Sequence, residues 1–222
     1  MAFSMGDFGA PNIVRFGEAA LVLETGQVPS IAIQRALGRA AAALQTANGT
    51  IDAVAGIGNL TLFYDPVRID AESARARLAG AWQGAQRGET ASAGAPVEIP
   101  VRFGGEDGPD LEALASARGI DAETFVTRYL AGDYAVYVMG FAPGFAYIGG
   151  LDSSLHAARR TEPRARVPAG SVAIGGAFTA VYPLESPGGW NIIGRTERAL
   201  FDPQRMPASL LELGARVRFV RL

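Results

Sequence analysis

At 222 residues and 49% hydrophobic content, the chain is long enough to bury one large core or two small ones. A net charge of -2 gives no basic footprint for nucleic acid. Cysteine is absent and all 20 basic residues are arginine, which excludes disulfides, thiol nucleophiles, a Walker lysine and a Schiff-base lysine together.

From the amino end, NIVRFGEAALVLET (12–25) predicts two short strands around a turn at Gly17 and Glu18. Pro29 then opens a helix, PSIAIQRALGRAAAALQTA. IDAVAGIGNLTLFYD (51–65) reads as two strands joined near Gly56 to Asn59, and a second amphipathic helix begins at Asp70. GIGNLT lacks the third glycine of a dinucleotide fingerprint and runs into a strand rather than a helix, so it is a hairpin turn. Both helices are expected on one face of a small antiparallel sheet.

RGETASAGAP (87–96) interrupts the pattern and separates residues 1–88, a small α+β domain, from residues 89–222. The strand VEIPVRF follows, then helices over 110–118 and 121–131, the second capped by Asp121. Beyond residue 133, short apolar runs broken by Gly and Pro predict a closed or nearly closed β-barrel, with a mouth or face for a ligand. No run reaches the roughly 18 apolar residues of a membrane helix, and MAFSMGDFGAPN does not read as a signal peptide. A cytoplasmic protein without membrane or nucleic-acid partners is expected.

GFAPGFAYIGGLD (140–152) specifies a backbone shape, through Gly140, Pro143, Gly144, Gly149 and Gly150, more than a periodic face. Phe141, Phe145 and Tyr147 line either a site or the inside of a bent strand. The single histidine, His156, lies in the polar SSLHAARR and reads as a surface residue; without a Gly-x-Ser-x-Gly elbow, a self-contained serine hydrolase is rejected. No metal-ligand cluster is evident.

GFAPGFAYIGGLD, PRARVPAGSVAIGGAFTAVYPLESPGGWNIIGRT (163–196) and LFDPQR (200–205) occur in this order. Together they resemble the family variously named allophanate hydrolase subunit 1, kinase A inhibitor and the 5-oxoprolinase B subunit, most strongly over 134–220. The resemblance implies a C-terminal cyclophilin-like β-barrel joined to a smaller N-terminal α+β domain. It also implies a second cyclophilin-like subunit as partner, of the type of the 5-oxoprolinase C subunit or of allophanate hydrolase subunit 2. The pair resembles the carboxyltransferase part of biotin-dependent urea carboxylases. With a lactam-utilization-type third component, it would form an ATP-dependent 5-oxoprolinase that opens 5-oxoproline to glutamate, ATP being bound by the complex if not by this chain. Inhibition of a sensor histidine kinase and allophanate hydrolysis are the alternatives. The latter is the weaker as chemistry, because its amidase uses a Ser-Ser-Lys arrangement and lysine is absent here.

Beside that resemblance, Arg164 and Arg166 are candidates to clamp a carboxylate or phosphate, with Arg195 a third; each could equally make a structural salt bridge. In ESPGGWN, Gly188 and Gly189 allow two backbone amides to face an anion, Ser186 supplies a hydroxyl and Trp190 a flat wall. Ser171, Thr179 and Tyr182 are lesser polar candidates. Asp152, Glu185 and Tyr182 are the acid-base options, none with a recognisable partner by spacing, so no nucleophile or base is assigned and complementary groups are expected from another subunit.

Overall fold

Apolar residues at every second position in the first strands, and at every third or fourth in the helices, build one sheet face and two helix faces that bury each other. The computed structural model describes residues 10–87 and 95–222. Two compact units span residues 1–92 and 93–222, and the expected boundary at 88/89 lies outside the described residues.

In the first unit, β1 (Asn12–Arg15), β2 (Ala20–Glu24), β3 (Thr50–Ala55) and β4 (Asn59–Tyr64) form an antiparallel sheet in the order β1-β2-β4-β3. Helices α1 (Ile31–Gln45) and α2 (Ala71–Arg87) pack on each other and on this sheet. Leu21, Leu23, Leu60, Leu62 and Tyr64 share a single core with Leu37, Leu44, Leu78 and Trp82. Ser30 caps α1 through the Ile33 N–H, and Asp70 accepts from the Ser73 N–H at the start of α2. The Gly56–Asn59 segment is the anticipated hairpin turn. Buried Gln34 braces it, donating to the Gly56 carbonyl and accepting from the Gly58 N–H.

The second unit holds β5 (Val97–Phe103), α3 (Leu111–Ser116), α4 (Ala122–Leu130), β6 (Tyr134–Met139), β7 (Ala146–Gly149), β8 (Arg164–Val167), β9 (Ser171–Gly175), β10 (Phe178–Val181), β11 (Ser186–Gly188), β12 (Asn191–Arg195) and β13 (Arg216–Arg221). Seven of these strands close a barrel in the order β10-β7-β6-β13-β5-β12-β9, with only the β13–β5 pair parallel. The expected small α+β unit and β-barrel are both present. β8 and β11 pair with each other and stand outside the barrel ring.

All seven barrel strands contribute to one core, including Ile99, Val136, Ile148, Ile174, Val181, Ile193 and Phe219, so the interior is filled. The alternate residues of β9, β10 and β12 form a second cluster: Ala173, Ala180 and Ile192 join Phe145, Val167, Tyr182 and Trp190. This wall is therefore apolar on both faces, and its outer face is where the conspicuous aromatic residues collect.

The interior also contains a short polar relay. Tyr134 donates to the Tyr129 carbonyl, and Thr179 donates to the Ala173 carbonyl, leaving its oxygen to accept from the Tyr129 hydroxyl at 2.8 Å. Burial pushes both phenols above their ordinary value; the neighbouring Tyr134 adds to the effect at Tyr129, and the Asp152 charge adds at Tyr134. The folded state thus keeps protons that the unfolded chain releases above about pH 10. The stability these groups contribute is complete below pH 10 and is lost as pH rises toward their folded values. Denaturant midpoints should fall steeply above about pH 10, and Tyr129→Phe with Tyr134→Phe should flatten that fall.

Candidate functional site

The outer face of the barrel wall and the β8–β11 pair surround a cavity of about 190 Å³. Its apolar side is an aromatic cluster centred on Phe145, which is buried and meets four rings edge-on: Phe141 at 5.0 Å, Tyr147 at 5.2 Å, Tyr182 at 5.4 Å and Trp190 at 5.8 Å between centroids. Edge-to-face contacts of this kind fix ring orientations beyond what area burial alone would do. Phe141 projects from the turn closed by Gly140 N–H to the Phe145 carbonyl, and 62% of its surface is exposed. Its φ of 73° is an uncommon conformation for a bulky residue, held here at the rim of a cavity.

The other side of the cavity is backbone brought unusually close. A Cβ on Gly188 would lie 2.3 Å from the Tyr182 hydroxyl oxygen, and one on Gly175 would lie 2.4 Å from the Trp190 indole. Only glycine leaves room for those two rings. Burial pushes the Tyr182 phenol above its ordinary value of 10.0, against the lowering effect of the Trp190 backbone and of the nearby Arg159 and Arg164 charges. At neutral pH it is an uncharged hydroxyl.

Residues 158–163 complete the enclosure, with Arg159, Arg160 and Pro163 in the lining. They are stitched to the β11–β12 loop: the Arg160 N–H donates to the Gly189 carbonyl at 2.7 Å, and Asn191 Nδ2 donates to the Ala158 carbonyl at 2.9 Å. Asp110, ahead of α3, anchors the same region. Its Oδ1 accepts from Arg160 Nη1 at 3.1 Å and Arg164 Nη2 at 2.8 Å, while its Oδ2 accepts from the Ile192 N–H at 2.6 Å. Arg159 instead lies over the Trp190 ring, 5.8 Å from its centroid. Among the described residues, no carboxylate or carbonyl pairs with it.

The sequence family described as carboxyltransferase domain, subdomain C and D, matches residues 11–211. Three curated relatives share that extent: the 5-oxoprolinase B subunit of Escherichia coli O157:H7 is 42% identical over 92% of this chain and 93% of its own length. The proteins of the same name from Haemophilus influenzae and Bacillus subtilis are 41% and 36% identical, over 94% and 95% of this chain and 97% and 92% of their own. The chain belongs to the carboxyltransferase subdomain C and D family.

The crystal structure of TTHA0988 superposes with a TM-score of 0.78 at 40% identity, over 91% of this chain and 40% of that one. The present chain therefore spans less than half of the TTHA0988 polypeptide. PH0987 from Pyrococcus horikoshii aligns with a TM-score of 0.57 at 34% identity, over 95% of this chain and 97% of its own. The Kluyveromyces lactis urea carboxylase shares the fold, with a TM-score of 0.74 at 17% identity over 98% of this chain and 22% of that one.

Of the residues anticipated as a site, Phe141, Phe145, Tyr147, Gly188, Gly189 and Trp190 converge on the cavity, as does Tyr182. Arg164 lies behind it, held by Asp110, with its second amino group buried and lacking a hydrogen-bond partner. The Ser186 hydroxyl is likewise buried without a partner and is not in the lining. Arg166 is 78% exposed and forms a bidentate pair with Glu185, and Arg195 is exposed and donates to the Ala169 carbonyl. Neither arginine lines the cavity; alternation along β8 buries Val167 in the aromatic cluster and so turns Arg166 outward. Asp152 caps the Ser153–Leu155 turn, Ser171 and Thr179 are buried barrel residues, and His156 is exposed. Arg159 and Arg160, inconspicuous in HAARR, supply the cations that Arg166 and Arg195 do not.

Asp110 satisfies three donors from three separate segments while its side chain is only 11% exposed. Asp110→Ala should cost about 2–4 kcal/mol in chemical denaturation, since it strands two guanidinium groups and a buried N–H. Arg166→Ala, which opens an exposed pair, should stay within about 0.5 kcal/mol. The opposite ranking would remove Asp110 as the organiser of the site.

Proposed function

We propose that this chain is the B-type subunit of a heteromeric, ATP-dependent 5-oxoprolinase, and that its cavity holds the lactam substrate during ring opening to glutamate. The observation that carries the reading is the cavity itself: an aromatic wall that includes the Trp190 ring, two arginines and a glycine-lined backbone, in a chain whose curated relatives are named as the 5-oxoprolinase B subunit. The aromatic wall accommodates a flat five-membered ring, and the guanidinium groups provide for its carboxylate. Phe145, Tyr147 and Trp190 keep water from that face, which strengthens every polar contact made there.

At about 190 Å³ the cavity lies below the roughly 300–1,000 Å³ of pockets that take drug-sized ligands. That volume suits a small ring acid better than a nucleotide, and the chain has no lysine for a Walker-type phosphate contact. ATP is accordingly assigned to another part of the complex. Among the described residues the lining contains neither a carboxylate nor the histidine, so proton transfer is assigned to the partners as well. Those partners are a second cyclophilin-like subunit and a lactam-utilization-type component.

Co-expression of the chain with both components, followed by assay of 5-oxoproline-dependent ATP hydrolysis and glutamate release, tests the proposal. Turnover is expected only from the complete set. Trp190→Ala should lower kcat/KM at least tenfold in a complex that still assembles, whereas Arg166→Ala should leave it unchanged. A stable three-component complex without turnover would remove 5-oxoproline as the substrate.

A further inference from the structure

We infer that the cavity reads its ligand at two points: Arg159 takes a carboxylate, and the Tyr182 hydroxyl donates a hydrogen bond to the amide oxygen of the same flat ring. This rests on the cavity being the substrate site. The ligand class is a small cyclic amide acid, stacked on the aromatic wall between the two groups.

Charge balance isolates Arg159. Arg159, Arg160 and Arg164 gather around the cavity, and the carboxylate of Asp110 engages the latter two. Among the described residues Arg159 has only the face of Trp190, a contact readily exchanged for an ion pair. A guanidinium resting on the wall of a cavity, without an anion, is positioned to turn onto the carboxylate of a ring that stacks beside it.

Position isolates Tyr182. It lines the cavity, and among the described residues no acceptor takes its hydroxyl proton. Gly188 leaves the hydroxyl uncovered by any side chain at the cavity lining. As a protonated phenol it can donate to an amide oxygen, and the bond strengthens as charge develops on that oxygen. Ring opening then changes both points at once. Water adds across the broken C–N bond, so the flat ring is lost, the amide carbonyl becomes a second carboxylate, and the amide N–H becomes an ammonium beside the carboxylate that Arg159 holds; the net charge is unchanged, and the product is weakened by the lost stacking and by that ammonium facing the guanidinium.

Calorimetric titration of the full chain, alone and within the assembled complex, tests this with three probes: 5-oxoproline, 2-pyrrolidinone, which lacks the carboxylate, and cyclopentanecarboxylate, which lacks the amide. Arg159→Ala should weaken 5-oxoproline and cyclopentanecarboxylate at least tenfold and leave 2-pyrrolidinone unchanged, with Arg159→Lys recovering part of the loss. Tyr182→Phe should weaken 5-oxoproline and 2-pyrrolidinone about fivefold and leave cyclopentanecarboxylate unchanged. L-Glutamate should bind at least tenfold more weakly than 5-oxoproline. Loss of all three probes in a folded variant, or of none, overturns the two-point assignment, as does failure of 5-oxoproline to bind the wild-type chain in either form. Probe binding as expected without turnover would overturn the hydrolase reading alone. Turnover with KM unchanged in both variants would overturn the two-point assignment alone.

Discussion

The carboxylate of Asp110 is the constraint on which the site depends. It stands at the usual capping position ahead of α3, yet its backbone is helical and its side chain makes no cap. Both oxygens go elsewhere, to two guanidinium groups and the Ile192 N–H. That arrangement replaces a helix-capping bond, worth roughly 1 kcal/mol, with three charge-assisted bonds in a place with little water. It also ties the entry of α3 to segments 50 to 82 residues further along the chain, residues 160–164 and β12. Without it, Arg160 and Arg164 would repel each other beside the same cavity, and the strap that encloses the aromatic wall would lose its anchor.

A second consequence follows from how the barrel is filled. Seven strands leave an interior just wide enough for packed side chains, and here Tyr129, Tyr134 and Phe219 complete it. A ligand site therefore has to be built outside the ring. The β8–β11 pair and residues 158–163 provide that second layer, and Gly175 and Gly188 are the points where it can approach closely enough to trap Trp190 and Tyr182. The glycines are thus part of the architecture of the cavity even where no ligand touches them.

This layering explains which features were legible in the sequence. Strand and helix positions were readable because β2, β4, α1 and α2 each bury one face, leaving clean periods of two and 3.6. The 140–152 and 186–190 loops stood out through glycine, proline and aromatic residues, whose unusual backbone demands survive in composition. SVAIG of β9, in contrast, is buried at all five positions, so no alternation marks which side chains face the barrel and which the cavity. The arginines were harder still. Arg164 and Arg166 flank one alanine and look like a clamp, but β8 pairs with the irregular β11 in a way that sends one to Asp110 and leaves the other at the surface with Glu185. Whether the Arg164 guanidinium is free or engaged depends on a carboxylate 54 residues away, which no local pattern records.

The same distribution of charge separates what this chain can do from what it cannot. The cavity offers orientation, a dry face, a cation and an uncharged donor. Among the described residues it offers no group able to remove a proton at neutral pH, since burial raises Tyr182 and none of the lining residues is a carboxylate. In the proposed reaction such a site would lower the barrier by holding the substrate and stabilising developing negative charge, with the base and the phosphoryl donor supplied by the partners. The exposed Phe141 ring at the rim fits that proposed division, since an apolar group at the mouth of the cavity would be stabilised by a surface that covers it.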